Sequence, residues 1–288
     1  MQVGILGTGL MGAPMALRLQ QAGFAVTAWN RTAEKLAPLQ QAGMTTVETA
    51  AEAITAAEIT LTMLSDAAAI QSSLFAEATA LKDRTILQMG TIAPAESRDL
   101  DRQIRAAGGA YLEAPVLGSI PQVKAGSLIV MVGSSPEQYD QWLPVLECFG
   151  PDPQWMGPVG TAATTKLAMN QLIGTLTAAF AMSLGLAQQE GLEIEKFMSI
   201  LRESALYAPT FDKKLARMCD RNFANPNFPT KHLLKDMTLF VQAAQAQGLD
   251  TTVAASVGQV TSKAIAQGLA DEDYSSIYSA LNPAKSSG

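Results

Sequence analysis

Short apolar runs alternate with longer stretches of helical periodicity along the first half of the chain. The apolar runs lie at residues 3–6, 25–29, 59–64, 85–89 and 110–113. Helical patterns fill the intervals at 14–22, 33–42, 67–80 and 95–107. Such alternation is typical of βαβ units, in which helices cover a parallel sheet. Two further runs, at 128–132 and 154–156, enclose a helical pattern at 136–148 and are predicted to extend the sheet.

The pattern changes after residue 160. Residues 161–190 contain no strong helix breaker apart from isolated glycines, and they predict one helix about 45 Å long. Because apolar residues lie nearly all round this helix, we expect it to be buried on several sides. The remaining segments all have helical periodicity, at 194–204, 209–220, 230–246 and 252–267. The tail, residues 282–288, is predicted to be frayed.

A glycine motif follows the first apolar run and opens the first helical segment. It has the form G-x-G-x-x-G, with Gly7, Gly9 and Gly12 at the fixed positions and Leu10 and Met11 before the last glycine. Gly7 allows a tight turn, Gly9 lets phosphates approach the backbone, and Gly12 lets the helix pack closely. A pyrophosphate would then face the positive end of the helix dipole. A strand, this motif and a helix together predict a dinucleotide-binding domain.

The sequence therefore predicts an α/β N-terminal Rossmann-type domain and an all-α C-terminal domain joined by a long helix. We place the dinucleotide-binding Rossmann domain at residues 1–160 and the interdomain helix at 161–190. The all-α domain, predicted to serve substrate binding and oligomerisation, covers residues 191–288. A chain of 288 residues is long enough for two domains and a sizeable core.

Composition narrows the class of partner. Apolar residues make up 48% of the chain and charged residues 16%, which favours burial of surface between subunits. The net charge of −6 and the lack of a basic run argue against nucleic acid as a partner. The cysteines, Cys148 and Cys219, form no metal-binding spacing and fit a reducing cytoplasm. With no signal peptide pattern and no span that must cross a membrane, we expect a cytoplasmic protein without metal, nucleic acid or membrane partner.

The residues after the second apolar run indicate which dinucleotide is bound. An acidic residue there would bind the ribose hydroxyls of NAD, but this chain has Asn30, Arg31 and Thr32. An arginine can pair with a 2′-phosphate through a charge-assisted fork, which predicts NADP(H). The alternative is that Arg31 is a solvated loop charge.

Ligands of an open parallel sheet collect at the carboxyl ends of its strands, where several polar residues of this chain fall. Met63, Leu64 and Ser65 end one run, and Thr91 follows the next. Thr91 could cap the following helix, contact a ligand, or do both. After the fifth run, the loop at Gly118 and Ser119 offers backbone N–H groups and a hydroxyl for a carboxylate. An ordinary turn is the alternative for this loop.

Lys166 is the most informative single residue. It lies near the start of the long apolar helix, and Asn170 follows four residues later on the same helix face. A lysine in an apolar segment must extend to solvent, form a pair or serve a site. Reduction of a carbonyl needs a proton for the developing alkoxide, which a lysine with a lowered pKa could supply. Asn170 could then hold the substrate.

A second polar cluster begins at Phe228 and reads F-P-T-K-H-L-L-K-D. His232 is the only histidine of the chain, and it lies between Lys231 and Lys235. We interpret it as a surface residue rather than a catalytic one. Lys235 could instead reach the cofactor, with Asp236 orienting a lysine.

Several motifs occur in an order that resembles the β-hydroxyacid dehydrogenase family. G-x-G-x-M-G-x-P-M from Gly7 is similar to its cofactor signature, and A-P-V-x-G ending at Gly118 to its substrate motif. G-x-x-G ending at Gly160, followed by K-x-x-x-N-Q from Lys166, is similar to its catalytic motif. The Lys235 cluster and the Arg31 corner are most like those of its glyoxylate/succinic semialdehyde reductases.

The resemblance implies that Lys166 is the acid/base, that Asn170 anchors substrate, and that Lys235 and Asp236 lie near the cofactor. It also implies a homodimer or homotetramer built with the α domain. We therefore expect an NADPH-dependent reductase that converts a small aldehyde acid, succinic semialdehyde or glyoxylate, into a hydroxy acid. The expected cofactor residues are Gly7, Gly9, Leu10, Met11, Gly12, Asn30, Arg31, Thr32, Met63, Leu64, Ser65, Thr91 and Lys235. The expected substrate residues are Thr91, Gly118, Ser119, Asn170, Phe228 and Asp236.

The chain departs from the family pattern at two positions. Leu117 stands where the family usually has a serine that helps to hold the carboxylate, and Gly90 replaces a serine before Thr91. These changes leave the substrate and the preferred direction open, so 3-hydroxyisobutyrate or another β-hydroxyacid remains an alternative. An imine reductase is a further alternative, although such enzymes generally lack the lysine. A non-catalytic dinucleotide-binding protein is another, since a fold does not fix a function.

Overall fold

A computed structural model of the chain describes residues 1–283, and residues 284–288 lie outside the described part. The chain forms two compact units, Met1–Lys166 and Leu167–Gly288. The division falls inside the long helix, so that helix contributes residues to both units.

A nine-stranded sheet is the framework of the first unit, within residues 1–166. Its strands are β1 Gln2–Leu6, β2 Ala25–Trp29, β3 Thr45–Thr46, β4 Ile59–Thr62, β5 Thr85–Gln88, β6 Ala110–Glu113, β7 Val116–Leu117, β8 Ile129–Gly133 and β9 Gln154–Gly157. The helices are α1 Gly12–Gln21, α2 Ala37–Gln41, α3 Ala50–Thr55, α4 Ala67–Leu74, α5 Pro94–Ala106, α6 Ile120–Ala125 and α7 Pro136–Leu146, with 3₁₀ turns at Ala33–Leu36 and Ala78–Leu81.

The strand order confirms the predicted Rossmann-type domain. It runs β3-β2-β1-β4-β5-β6-β8-β7, with β9 beside β8, and the first six strands of this order are parallel. The order reverses between β1 and β4, where ligands of such sheets bind. Ile5 and Leu112 belong to the core on one face of the sheet, whereas their neighbours Leu6 and Tyr111 belong to the core on the other. Both faces are therefore covered, as a parallel sheet requires.

The two further runs, β8 and β9, extend the sheet as predicted, but the last part of the sheet is not parallel throughout. β8 runs antiparallel to β6 and to β7, with Val116 opposite Val130. The connection from β7 to β8 holds only the short helix α6, and a parallel crossover needs a dozen or more residues. The chain therefore turns back beside β7, and only β9, reached through α7, is parallel to β8.

Several short elements escaped the hydrophobic pattern, among them β3, α3, β7 and α6. A strand of two residues has no measurable period, and a one-turn helix shows little of one. The start of α3 did carry a local signal, because Thr49 and Glu52 form a capping box. The Thr49 hydroxyl accepts the Glu52 N–H at 3.2 Å, and the Glu52 carboxylate accepts the Thr49 N–H at 3.1 Å.

Helices build the second unit, as predicted. They are most of α8 Thr161–Gln189, then α9 Ile194–Glu203, α10 Pro209–Cys219, α11 Thr230–Gln245, α12 Thr252–Ala266 and α13 Ile277–Leu281. One apolar cluster joins α8 to α11 and α12 through Ala178, Leu233 and Val257. Another includes the stacked rings of Phe180 and Phe211, whose centroids lie 4.7 Å apart.

The helix α8 is only partly buried, whereas the sequence predicted burial on several sides. Leu172, Leu176, Met182 and Leu186 are 49%, 37%, 61% and 65% exposed, and Ala179 between them is exposed too. We call these five residues the α8 stripe. By length and composition alone α8 could also cross a membrane, but a core helix of a globular protein passes the same test.

Asn282 is held in place, so the predicted fraying is wrong for this residue. Its side-chain N–H donates to the carbonyl of Ala181 at 2.9 Å, and its own carbonyl accepts from the Arg221 guanidinium at 2.6 Å. These hydrogen bonds order the chain end at Asn282, although the sequence there has no apolar pattern that would predict packing. Residues 284–288 of the predicted tail lie outside the described residues.

Candidate active site

The glycine loop between β1 and α1 has the geometry that its motif predicts. Gly7 has φ +96°, a conformation that favours glycine, and its N–H donates to the Trp29 carbonyl at 2.9 Å. A Cβ at Gly7 would overlap the Met63 carbonyl, and a Cβ at Gly12 would overlap the carbonyl of Gly7. The loop therefore packs tightly on the end of β4 and on its own helix, and larger residues would displace it.

The rest of the loop leaves room for a ligand. A Cβ at Gly9 would meet no atom within 4 Å, and Leu10 beside it is 51% exposed. Met11, at the N-terminal cap of α1, makes no side-chain cap hydrogen bond, and no acidic residue lies in the first turn. The helix start thus offers its dipole and backbone N–H groups to an anion. This cradle fits the pyrophosphate of a nicotinamide dinucleotide.

Asn30 joins the end of β2 to the glycine loop. Its side-chain oxygen accepts the Thr8 N–H at 3.0 Å, and its side-chain N–H donates to the Thr32 carbonyl at 2.9 Å. Both bonds are internal, so Asn30 fixes the loop that would hold the phosphates. Arg31 and Thr32 are exposed beside it. The guanidinium of Arg31 is thus presented to solvent at the end of β2, where a 2′-phosphate would be recognised.

The loops after β4 and β5 meet each other. Met63 and Leu64 are half-buried, and Ser65 is exposed and donates to Asp66 at 2.8 Å. Asp66 in turn caps α4 by accepting the Ala69 N–H at 2.8 Å. These residues lie at the switch point of the sheet, where the sequence predicted cofactor contacts.

A buried glutamine shapes the loop after β5. Gln88 is 1% exposed, accepts the Gly90 N–H and donates to the Gly90 carbonyl, which folds the chain into a tight turn just before Thr91. A Cβ at Gly90 would come within 2.9 Å of the Leu64 carbonyl. A side chain at this position would therefore require the loop after β4 to shift.

The predicted capping role of Thr91 is wrong. The helix α5 begins at Pro94, and Ala93 is its N-cap residue. The Ala93 N–H donates to the Glu96 carboxylate at 2.7 Å, so a glutamate in the first turn satisfies the helix start. Proline at the first helical position sets this boundary, since it needs no N–H partner there. Thr91 is half-buried at the carboxyl end of the sheet, and its ligand contact stays a prediction.

The loop after β7 uses its polar groups internally. The N–H and the hydroxyl of Ser119 both donate to Gln122 Oε1, each at 2.9 Å. Gly118 has φ +130°, and a Cβ there would overlap Leu128. The loop thus directs two donors at one oxygen, and its contact with a substrate carboxylate stays a prediction. In this structure Gln122 supplies that oxygen.

A buried carboxylate at the start of α8 was not anticipated from the sequence. Glu113 ends β6 and is fully buried, and its Oε1 accepts the N–H groups of Gly160, Ala162 and Ala163 at 2.8, 2.9 and 3.0 Å. Burial raises the pKa of the Glu113 carboxyl above its ordinary value, and these hydrogen bonds oppose that rise. A charged residue inside an otherwise apolar strand pattern was the one available signal.

The two residues with predicted catalytic roles lie on α8. Lys166 is half-buried, and Asn170 is 3% exposed. The Asn170 side-chain N–H donates to Asp236 Oδ2 at 2.6 Å, and Asp236 Oδ1 lies 3.1 Å from the Lys235 ammonium. The structure therefore brings three of the predicted site residues into one polar cluster, in which Asn170 and Asp236 are buried and Lys235 is half-buried.

Phe228 and His232 lie beside that cluster, at the start of α11. The Phe228 ring packs edge-on against Tyr274 at 5.5 Å and is stacked with His232 at 6.3 Å. His232 is half-buried rather than a surface residue, because the loop before α11 covers it with Phe228. Burial lowers the pKa of His232, and the neighbouring charge of Lys235 lowers it further.

The predicted absence of metal stays a prediction. Within residues 1–283, no group of three or more histidine, cysteine, aspartate or glutamate side chains is arranged to hold an ion.

Comparison with known proteins identifies the family. Residues 2–157 match the NAD binding domain of 6-phosphogluconate dehydrogenase, and residues 160–281 match the NAD-binding domain of NADP-dependent 3-hydroxyisobutyrate dehydrogenase. Glyoxylate/succinic semialdehyde reductase 1 of Arabidopsis thaliana is 32% identical over 98% of this chain and 98% of its own length.

The chain belongs to the β-hydroxyacid dehydrogenase family. Reductase 2 of the same plant, a chloroplastic protein, is also 32% identical, over 99% of this chain and 80% of its own length. The 3-hydroxyisobutyrate dehydrogenase of Mycobacterium tuberculosis has the same fold, with a TM-score of 0.87 over 97% of this chain and 98% of its own, at 23% identity. As a β-hydroxyacid dehydrogenase family member, this protein is an NAD(P)-dependent oxidoreductase, which confirms the resemblance drawn from the motifs.

Proposed function

We propose that this protein is an NADPH-dependent reductase of small aldehyde acids. The observation that carries the proposal is the set of motif residues at the site together with the full-length similarity to reductases named for glyoxylate and succinic semialdehyde. The alternatives are a 3-hydroxyisobutyrate or other β-hydroxyacid dehydrogenase that works in the oxidative direction, and an imine reductase.

NADPH is the proposed cofactor. Gly7, Gly9 and Gly12 would seat the pyrophosphate at the start of α1, and Arg31 would pair with the 2′-phosphate. Two features support this choice: the guanidinium of Arg31 is exposed, and position 30 holds asparagine rather than the acidic residue that would bind the ribose of NAD. When bound, the dinucleotide supplies the hydride for the carbonyl carbon.

Lys166 is the proposed proton donor. Its Nζ would give a proton to the carbonyl oxygen as negative charge develops there, and would take the proton back in the reverse reaction. A half-buried lysine in the second turn of an apolar helix supports this role. The proposed substrate residues of the first unit are Thr91, Gly118 and Ser119, and those of the second unit are Asn170, Phe228 and Asp236.

A turnover assay tests the proposal. Purified protein is given NADPH or NADH with glyoxylate, succinic semialdehyde, a matched neutral aldehyde and a cyclic imine. The expected result is faster NADPH consumption with an aldehyde acid than with the neutral aldehyde or the imine. Turnover of the imine alone would favour the imine reductase alternative. Turnover only of 3-hydroxyisobutyrate with NADP⁺ would favour the dehydrogenase.

We also propose a cytoplasmic homodimer that packs through the α8 stripe. Leu172 and Leu186 lie at equal spacing on either side of Ala179, and so do Leu176 and Met182. Two copies could pack their α8 helices antiparallel about a two-fold axis at Ala179. Leu172 of one copy would then pack against Leu186 of the other, and Leu176 against Met182. A contiguous exposed apolar surface without charge is typical of such an interface.

Light scattering after gel filtration tests the assembly. Leu186→Glu places a charge in the α8 stripe and should yield monomers. Leu249→Glu is the matched control, because Leu249 is 61% exposed but lies outside α8, and it should leave the dimer intact. A wild-type mass of one chain would contradict the proposal, and a mass of four chains would mean that a second interface exists.

A further inference from the structure

The carboxylate of Glu113 replaces the missing backbone partners at the start of α8. The first N–H groups of any helix lack partners within the helix, and a buried helix start needs acceptors from elsewhere. A single oxygen of Glu113 accepts three such N–H groups, from Gly160, Ala162 and Ala163. The strand β6 thereby fixes both the position and the rotation of the first turn of α8.

The surroundings of Glu113 are shaped for this role. Its second oxygen accepts from the Ser97 hydroxyl, which is 2.7 Å from the Tyr111 hydroxyl. Gly133 lies opposite Glu113 in the sheet, and a Cβ there would overlap the carboxylate. The guanidinium of Arg98 lies so close to Gly160 that a Cβ there would overlap it. Burial of a carboxylate costs free energy unless the group is hydrogen-bonded, and these partners satisfy both oxygens of Glu113.

We infer that Glu113 is a positioning residue for the proton donor Lys166. This inference rests on the proposed function of Lys166 as the acid/base. Lys166 follows Ala162 by four residues, or about 6 Å of helix axis, so the turn that Glu113 holds directly precedes the turn that carries the lysine. All the contacts in the argument lie within the first unit, residues 1–166.

The consequence for catalysis is geometric. A helix whose first turn frays begins later and can rotate, and the lysine on its second turn moves with it. A displacement of about 1 Å in a reacting group can reduce the rate by a factor of roughly 100. Glu113 should therefore affect turnover without touching the substrate or the dinucleotide.

Two conservative variants separate side-chain length from charge. Glu113→Gln keeps an oxygen at the same reach, whereas Glu113→Asp draws it back by one methylene. We expect Glu113→Asp to lower kcat about tenfold and Glu113→Gln to stay within about threefold of wild type. The Kd for NADPH, measured by cofactor fluorescence, should be unchanged in both. If Glu113→Asp and wild type have equal kcat, the inference is wrong.

A double-mutant cycle tests whether Glu113 acts through the lysine. With Lys166→Ala already present, Glu113→Asp should lower kcat by less than about twofold further, because the positioned group is gone. A full additional tenfold loss would show a general structural effect and overturn the inference. If Lys166→Ala alone keeps normal turnover, the proposed function itself fails, and that single variant identifies this case separately.

Tyr111→Phe is the matched structural control. It removes a hydroxyl from the same buried network but leaves the bonds between Glu113 and α8 in place. We expect it to lower the thermal midpoint of unfolding while kcat stays within about twofold of wild type. A loss of turnover equal to that of Glu113→Asp would mean that any weakening of this core disturbs the site, which would overturn a specific role for Glu113.

Discussion

The side-chain N–H of Asn170 donates to Asp236 Oδ2 over 2.6 Å, and both residues are almost completely buried. This bond links α8 to α11 inside the second unit. The family resemblance implies that Asn170 anchors substrate and that Asp236 lies near the cofactor. The structure adds that each positions the other, since Asp236 fixes the orientation of the amide that would hold the substrate.

The Asn170–Asp236 bond should be important for stability. Asn170→Ala leaves a buried carboxylate without this donor and should lower the free energy of unfolding by about 1.5–3 kcal/mol, measured in urea at pH 8. Gln171→Ala is the matched control, because the Gln171 side chain donates to Thr175 on its own helix, at 2.9 Å. We expect the control to lose about 1 kcal/mol or less. If both variants lose the same free energy of unfolding, the Asn170–Asp236 bond contributes no more to stability than the bond from Gln171 to Thr175.

Asn170→Asp should make the protein less stable as the pH rises. Two adjacent carboxylates cannot both ionise easily, so the introduced carboxyl should have a folded pKa above the unfolded value of about 3.9. The resulting stability is present at low pH and is lost as the pH rises through the folded pKa. Urea unfolding at pH 5 and pH 8 should show this variant approaching wild type at the lower pH.

Lys166→Ala should lower kcat by a factor of about 10²–10⁴, the range for loss of a general acid. NADPH binding should remain nearly normal, as measured by fluorescence titration. Lys196→Ala, an exposed lysine paired with Glu193, serves as the control and should keep full turnover. A collapse of NADPH affinity would reassign Lys166 to phosphate binding, and near-normal turnover would place the proton donor elsewhere.

Arg31 and Asn30 should have separable effects on the cofactor. Arg31→Gln should weaken NADPH by about 1.5–3 kcal/mol and change NADH little, because only NADPH carries the 2′-phosphate. Asn30→Ala should weaken both cofactors, because it releases the glycine loop at Thr8. Lys82→Gln, at an exposed position before β5, is the control and should alter neither. If Arg31→Gln lowers the affinity for NADPH and for NADH equally, Arg31 does not recognise the 2′-phosphate.

The loop after β7 should control affinity for the carboxylate of the substrate. Leu117→Ser adds a donor and should lower KM for an aldehyde acid, up to about tenfold. Ser119→Ala should raise that KM. Gln122→Ala frees both Ser119 donors from Oε1 and should lower it. A neutral aldehyde is the control substrate, and its KM should not change. Constant KM values for the acid in all three variants would exclude this loop as the carboxylate site.

His232 should make the protein less stable in mild acid. Burial and nearby lysines hold its folded pKa below the unfolded value of roughly 6.5. The unfolded chain then binds more protons, so stability falls as the pH decreases from about 6.5 through the folded pKa. The difference in unfolding free energy between pH 7.5 and pH 5.5 should be smaller in His232→Gln than in wild type. An unchanged difference would contradict the burial of His232.

Much of the first unit could be predicted because its signals are local. The apolar runs of β1, β2 and β6 and the glycines at positions 7, 9 and 12 determine their structure through neighbours in sequence. Short elements such as β3 and α6 could not be predicted, since they are too short to show a period. Capping of α5 by Thr91, one of the alternatives left open, is wrong, because Pro94 begins the helix and Glu96 accepts the N–H of the N-cap residue Ala93.

The sequence by itself determined the alternation of strands and helices, the dinucleotide cradle, the corner at Arg31 and the presence of Lys166 in an apolar helix. Each of these follows from residue type and spacing along the chain. Only the tertiary structure decided that Glu113 holds the start of α8 and that Asp236 holds Asn170. Both bonds join residues far apart in sequence, and a buried carboxylate finds its donors only after the elements that carry them have packed together.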